Sequence, residues 1–171
     1  MSNKSSHITE FQRKLTLPDG FAPPRRLEHD GIVATVLGRA DLDDDVRGIN
    51  SSLELIARTR GGGWPEGPVD RDFDLDDLIW HEVEFREGFS FSYVLRDADG
   101  GYLGCAYLYP MGRRTELTEE LVHHDVDVSW WVTSGAYEAG YYERAFEALK
   151  RWVSEEFPFT SPYWSNREVP R

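Results

Sequence analysis

The most regular pattern of apolar and polar positions lies between residues 141 and 157. Apolar side chains recur there at spacings of three and four, which places them on one face of an α-helix about five turns long. Pro158 ends the pattern, because proline cannot continue a helix. The apolar face comprises Tyr142, Ala145, Phe146, Leu149, Trp152 and Val153.

Two shorter stretches, residues 41–59 and 74–88, have the same periodicity and predict two further helices. The loop between them, residues 61–72, contains too many glycines and prolines for regular structure. The apolar positions are Val46, Ile49, Leu53 and Ile56 in the first stretch, and Leu75, Leu78, Ile79 and Val83 in the second.

Strand patterns fill much of the remaining sequence. The run at 32–38 is apolar and β-branched, and residues 89–95 alternate large apolar with polar side chains. The turn ADGG then leads into residues 102–110, which predicts an antiparallel hairpin. In residues 125–133, Val126, Val128 and Trp130 share one face, and Asp127, Ser129 and Trp131 share the other. A last strand within 158–166 belongs at an edge, because Pro162 cannot donate to a ladder.

The predicted order is strand, helix, helix, strand, strand, strand, helix, strand. A hairpin between helices indicates a mixed sheet, and the strand–helix–strand unit at 125–166 predicts a parallel pair with a right-handed crossover. The sequence therefore predicts an α/β protein with a single domain over residues 27–171. Residues 1–26 are polar and end in APPRR, which indicates a flexible N-terminal arm.

Composition narrows the classes of function. With 31 acidic and 19 basic residues the net charge is −12, which repels nucleic-acid phosphates and anionic lipid. No apolar run approaches the roughly 18 residues of a membrane span, and no signal-peptide core is present, so we expect a cytoplasmic protein. The HHDVD segment at 123–127 does not converge on one ion, and no metal is expected. The many aromatic rings leave a homodimer open.

The element order, together with residues 89–153, resembles the GNAT family of N-acetyltransferases. FSFSYVLRDADGGYLGCAYLYP is similar to the second and third strands of that family, and DVDVSWWVT to its fourth. YEAGYYERAFEAL takes the place of the loop and helix that hold the pyrophosphate of acetyl-CoA. The resemblance implies a GNAT-like acyl-CoA N-acyltransferase fold. The chain ends at Arg171 without the family's further helix, so a C-terminally shortened version is expected.

The pyrophosphate loop of the family reads Arg/Gln-x-x-Gly-x-Gly/Ala. Tyr137, Gly140 and Tyr142 occupy the first, fourth and sixth positions here, so only Gly140 matches. Tyr142 is in phase with the apolar stripe, which favours an inward ring; a ring that blocks the cleft is the alternative. The resemblance implies pantetheine contacts from Trp131, Val132 and Thr133, and pyrophosphate contacts from Tyr137, Glu138, Ala139, Gly140, Tyr141 and Tyr142.

The resemblance also implies a direct attack of an amine on the thioester, helped by a base. Asp127, on the polar face of its strand, is the first candidate for that base; a solvated carboxylate is the alternative. His124 is the second candidate, because an ordinary imidazole titrates near neutral pH. The family's general acid has no match in this sequence.

The acceptor site of the family is formed partly by the first two helices and their connection. That places Trp64, Pro65, His81 and Glu84 as candidate acceptor contacts, with Trp64 either a ring over the site or a plug on the core. The function expected is acetyl-CoA-dependent N-acetylation of a small amine or a peptide amine. The alternative is a catalytically inactive GNAT-fold module for binding or regulation.

Overall fold

Six strands form one sheet in chain order in the computed structural model, which describes residues 13–171. Every neighbouring pair is antiparallel except the last, β5 with β6, which is parallel. The mixed sheet and the parallel last pair predicted from the sequence are confirmed. The strands are β1 (Arg26–His29), β2 (Ile32–Val36), β3 (Phe91–Asp97), β4 (Tyr102–Tyr109), β5 (Val126–Val132) and β6 (Pro162–Trp164).

Five α-helices accompany the sheet within the described residues. The hairpin of β3 and β4 pairs antiparallel through the turn predicted for it, with Phe91 opposite Leu108. The helix predicted over residues 74–88 and the long C-terminal helix are also present. The helices are α1 (Leu42–Asn50), α2 (Leu53–Thr59), α3 (Arg71–Glu87), α4 (Ser134–Glu138) and α5 (Tyr141–Glu156).

The single helix predicted over residues 41–59 is wrong, because the chain breaks between α1 and α2 at two serines. The Ser51 hydroxyl donates to the Gly48 carbonyl, and the Ser52 amide donates to the Ile49 carbonyl. Serine side chains compete with the helical ladder in this way. β1 and α4 were not predicted: each is only four or five residues long, too short for a periodic pattern.

The two faces of the sheet carry separate apolar cores. The face under α5 includes Val126, Val128 and Trp130, and the face under α1, α2 and most of α3 includes Trp131 and Tyr107. The alternation predicted for β5 is therefore confirmed, and this strand is buried on both faces. β5 is thus packed beneath helices on both faces.

Residues 1–12 of the predicted arm lie outside the described residues. From residue 13 onward the segment packs on the domain: Leu15 is buried, its amide donates to the Phe89 carbonyl, and Phe21 contacts Phe91 and Phe157. The boundary between arm and domain stays a prediction. Within residues 13–171, no helix combines the length and apolar character needed to cross a bilayer.

Candidate functional site

A cavity of about 290 Å³ opens between α3, β4 and the loop after α2. Its wall combines aromatic rings with charged side chains. Three of the lining side chains are arginines, although the protein as a whole is strongly acidic. The wall is formed by Arg60, Gly62, Trp64, Asp77, His81, Tyr107, Tyr109, Arg113 and Arg114.

Arg60 is unusually buried for an arginine, because only 6% of it is exposed. Its guanidinium lies 4.4 Å from the Tyr107 ring centre and 5.4 Å from that of Trp64, and its Nε donates to Ser129 Oγ at 3.2 Å. No described carboxylate lies within 4.0 Å, and its terminal nitrogens donate no hydrogen bond to a described residue. Arg60 therefore presents a buried charge without a directly bonded counter-ion.

Arg114 fixes the loop that carries Arg60. Its guanidinium donates to the carbonyls of Arg60 and Gly61 at 2.7 and 3.0 Å, and to the carbonyl and hydroxyl of Ser165 at 3.0 and 2.9 Å. Burial and the charge of Arg60 lower the pKa of Arg114 to about 10. It remains a cation at neutral pH, so two positive groups lie side by side.

Arg113 differs from both because it is fully paired. It forms a two-pronged ion pair with Glu84, at 2.7 and 2.9 Å, and lies 4.3 Å from the Tyr109 ring centre. Glu84, predicted as an acceptor contact, also accepts from the Ser90 hydroxyl. These bonds occupy Glu84 and make it a support for the cavity wall.

The acidic part of the wall comes from α3, where Asp77 and His81 are one helical turn apart. His81 Nε2 lies 3.3 Å from Asp77 Oδ2, and His81 Nδ1 lies 3.0 Å from Ser92 Oγ. Burial works to raise the pKa of Asp77, but the hydrogen bond and charge of His81, with Arg113 and Arg60, hold it below its ordinary value. Asp77 is therefore ionised at neutral pH and faces the cavity.

The junction between β5 and α5 contains the whole of α4. The amides of Tyr137, Ala139 and Gly140 already donate to the carbonyls of Thr133, Gly135 and Tyr137. Those of Tyr141 and Tyr142 begin α5 and have no acceptor among the described residues. Of the amides predicted to hold pyrophosphate, these two are free, as expected at a helix start.

Gly140 shapes this junction. Its φ is 86°, a left-handed conformation that other residues rarely adopt, and no atom lies within 4 Å of the position a Cβ would take. Gly135 is equally open. The Cβ position of Gly140, directly before the free amides of Tyr141 and Tyr142, therefore faces open space.

Tyr142 points into the core, as its phase in the apolar stripe predicted. Only 5% of it is exposed, and its ring stacks on Trp130 with centres 5.1 Å apart. Its hydroxyl contacts the carbonyls of Thr59 and Glu168 and accepts from Asn166 Nδ2 at 2.8 Å. The ring does not fill the junction, so the alternative of a blocked cleft is wrong.

The segment after β6 runs beside the edge of β5, where the resemblance places pantetheine. Asn166 accepts from the Trp130 amide at 3.0 Å and donates to the Trp130 carbonyl at 2.9 Å, which reproduces a strand pairing with one side chain. The amides of Arg167 and Glu168 donate to Arg60 and Thr59. We call residues 165–168 the tail; its bonds to β5 extend as far as Trp130.

The predicted pantetheine contacts lie around this point. The Thr133 amide donates to the Leu103 carbonyl, and Trp131 pairs with Cys105 of β4. In an antiparallel ladder the alternate residue Val132 directs its backbone groups to the other edge. Val132 is thus the residue of the predicted three whose backbone faces away from β4, just beyond the tail.

The predicted base Asp127 is entirely buried. Its carboxylate accepts from the hydroxyls of Ser165 and Thr115, and burial raises its pKa above the ordinary value. His124 lies before β5, with Nδ1 near the Ser161 carbonyl at 3.2 Å. Neither residue lines the cavity.

Two of the four predicted acceptor contacts line the cavity, whereas neither predicted base does. Trp64 and His81 both line the cavity, and Glu84 lies behind Arg113. Pro65 lines a neighbouring cavity of about 550 Å³, whose wall also includes Trp64. Trp64 is half-buried, packs against the core that contains Tyr107, and lines both cavities, so the choice between a ring over the site and a plug on the core stays open.

Sequence reasoning missed Arg60, Asp77 and Arg114. Asp77 precedes His81 by four positions, and this spacing on a helix could have signalled the pair. Arg60 and Arg114 carry no such signal, because they meet only in the folded chain. Among residues 13–171, no group of three or more His, Cys, Asp or Glu side chains is placed to hold a metal ion.

Comparison with solved structures identifies the class of fold: the chain has the fold of the GNAT-family acetyltransferases. A ribosomal-protein-alanine acetyltransferase from Vibrio fischeri matches with a TM-score of 0.55 at 12% identity, covering 75% of this chain and 66% of that one. A GNAT-family acetyltransferase from Bordetella pertussis matches at 0.57 and 17%, covering 77% and 73%. The family resemblance expected from the sequence is confirmed for the fold.

A ribosomal-protein N-acetyltransferase solved in complex with coenzyme A also matches, with a TM-score of 0.57 at 8% identity. The alignment covers 75% of this chain and 67% of that one, and the chain spans about two thirds of the length of these ribosomal-protein enzymes. No family model and no curated protein matches the chain.

Proposed function

We propose that this protein is an N-acetyltransferase that moves the acetyl group of acetyl-CoA to a small amine or a peptide amine. The observation that carries the proposal is the start of α5. There the free amides of Tyr141 and Tyr142 lie beside the open positions of Gly135 and Gly140, in a fold shared with acetyltransferases. A pyrophosphate fits free amides at a helix N-terminus.

The amine nitrogen attacks the thioester carbonyl carbon, the C–S bond breaks, and the CoA sulfur leaves as thiolate. The amine must lose a proton in this reaction, and we assign proton removal to His81. When Nδ1–H donates to Ser92 Oγ, the Nε2 lone pair faces Asp77. An ammonium that pairs with the Asp77 carboxylate replaces the contact of 3.3 Å between Asp77 and His81, and Nε2 of neutral His81 is then placed beside it to take its proton.

Asp127 is less suited to this step. It has no exposed surface, and hydroxyls occupy both of its carboxylate oxygens. Reaching an acceptor would require Ser165 or Thr115 to move. Its charge instead faces Arg114 and Arg60, so we assign Asp127 to holding the cationic side of the cavity in place.

The tail sets a condition on how acetyl-CoA lies. Asn166 already pairs with Trp130, so a pantetheine arm follows β5 only beyond that residue, at Val132, or displaces Asn166. If neither happens, the protein is the non-catalytic GNAT-fold module. That alternative predicts no acetyl-CoA binding.

Steady-state acetyl transfer, measured by release of the CoA thiol, tests the proposal with three histidine variants. His81→Gln should lower kcat by about 10²–10⁴, the range for a lost general base, and leave the Kd of acetyl-CoA nearly unchanged. His123→Gln is the matched control, because this exposed histidine lies outside the cavity. A loss of kcat in His124→Gln with none in His81→Gln would move the base to His124.

A further inference from the structure

Positive and negative groups lie on different sides of the cavity around Arg60, and this distribution indicates which charges its ligand carries. Arg60 and Arg114 supply positive charge from the loop side, and Asp77 supplies negative charge from α3. The charge of Arg60 contributes to the lowered pKa of Asp77, so the two ends lie within electrostatic range of each other. A ligand with one anionic and one cationic group complements both.

Arg60 defines the anionic end. A buried cation is costly unless it is paired, and this guanidinium is 94% buried with its terminal nitrogens unbonded to any described residue. The guanidinium lies over the rings of Tyr107 and Trp64, and Trp131 Nε1 in turn fixes Tyr107 by donating to its hydroxyl at 2.9 Å. A fixed, planar pair of donors matches a carboxylate.

Arg114 does not compete for that ligand. All four of its contacts go to neutral oxygens, and these hold the Arg60 loop against the tail. Arg114 adds positive potential to the cavity and brings no carboxylate that would neutralise Arg60. Within residues 13–171, Arg60 is thus left facing the cavity without a bonded counter-ion, on a loop that Arg114 holds in place.

We propose that this cavity binds a small amino acid, with its carboxylate on Arg60 and its amino group on the Asp77 carboxylate, beside His81. The volume of about 290 Å³ holds roughly ten water-sized groups, which suits a molecule of that size better than a long peptide. As an acetyl acceptor this amino acid rests on the proposed function, but its binding does not depend on acetyl transfer.

Thermal-shift measurements with the twenty L-amino acids, each with and without coenzyme A, test the proposal without a variant. At least one amino acid should raise Tm, and its carboxamide, which lacks the carboxylate charge, should not. The proposal is overturned if no amino acid stabilises the protein in either condition, or if the carboxamide stabilises it equally.

Variants then locate the site. Arg60→Gln should weaken the Kd of that amino acid at least tenfold in calorimetric titration, and Arg60→Lys should weaken it less, because the charge remains. Arg151→Gln is the matched control: this exposed arginine pairs with Glu155 outside the cavity, and its Kd should equal the wild-type value. Unchanged binding in Arg60→Gln would place the ligand elsewhere and overturn the proposal.

The two proposals fail separately. Arg60-dependent amino-acid binding without acetyl transfer would leave this site standing and remove the proposed function. Acetylation of amines that have no carboxylate, at equal rates in wild type and Arg60→Gln, would support the proposed function and overturn the amino-acid site.

Discussion

Asn166 offers a sharp test of how the tail is held against β5. Its side chain satisfies both the amide and the carbonyl of Trp130, at 3.0 and 2.9 Å, and Trp130 has no exposed surface. Asn166→Ala removes the partner of two buried backbone groups. Each unsatisfied group costs about 1–3 kcal/mol, so we expect the free energy of unfolding to fall by about 2–5 kcal/mol.

Asn50 provides the matched control, because it makes the same two bonds in a different setting. It accepts from the Val69 amide at 2.8 Å and donates to the Val69 carbonyl at 2.9 Å, but the pair is exposed. Water replaces the lost partner in Asn50→Ala, so the expected loss is about 0.5–1.5 kcal/mol. Asn166 differs from Asn50 in its burial and in one further bond, from Nδ2 to the Tyr142 hydroxyl.

Urea unfolding followed by Trp fluorescence measures both variants, with the slope of the transition as a check on two-state behaviour. An Asn166→Ala loss no larger than that of Asn50→Ala would show that the tail does not seal this edge of β5. The obstacle to a pantetheine arm at Trp130 would then disappear as well.

Three further predictions concern the junction and the buried carboxylates. Gly140 has φ of 86° and open space around it, so Gly140→Val should lose about 1–2 kcal/mol from backbone strain alone, and Gly140→Asn clearly less; equal losses in denaturant titration would contradict this. Tyr142→Ala removes the ring stacked on Trp130 and should cost about 3–5 kcal/mol, with calorimetric unfolding as the measurement. Burial, with the charge of Asp45, raises the pKa of Asp74 to about 8 from 3.8. The folded protein therefore keeps a proton that the unfolded chain releases, so the free energy of unfolding should fall as pH rises from roughly 4 to 8; a wild-type slope that persists in Asp74→Asn would refute it.

The elements and their buried faces followed from local patterns. The stripe of α5 placed Tyr142 inward, and the alternation of β5 assigned Trp130 and Trp131 to opposite cores. Both inferences depend on a period of 3.6 or 2 that residues a few positions apart already express. The helix breaks at Ser51 and Ser52, where the Ser51 hydroxyl bonds the Gly48 carbonyl in competition with the helical ladder, and an apolar pattern does not record such a bond.

The site was harder to predict because its key contacts are distant in sequence. Arg60 meets Ser129 across 69 positions, and Arg114 meets Ser165 across 51. An arginine in a sequence is normally solvated, and its burial here depends on rings from β4 and from the Gly-rich loop. Asp127 illustrates the converse: a polar position on a strand indicated an accessible carboxylate, but the tail and residue 115 cover it.

Mass-spectrometric detection of acetyl transfer from acetyl-CoA to the twenty L-amino acids and to a panel of peptide and carboxylate-free amines tests the central claim most directly. The account predicts that at least one amine gains a single acetyl group in the presence of wild-type protein, and that the product disappears in His81→Gln at equal protein concentration. Folded wild-type protein that yields no acetylated amine, and that shows no Tm increase with acetyl-CoA, would contradict the acetyltransferase assignment and leave the non-catalytic module.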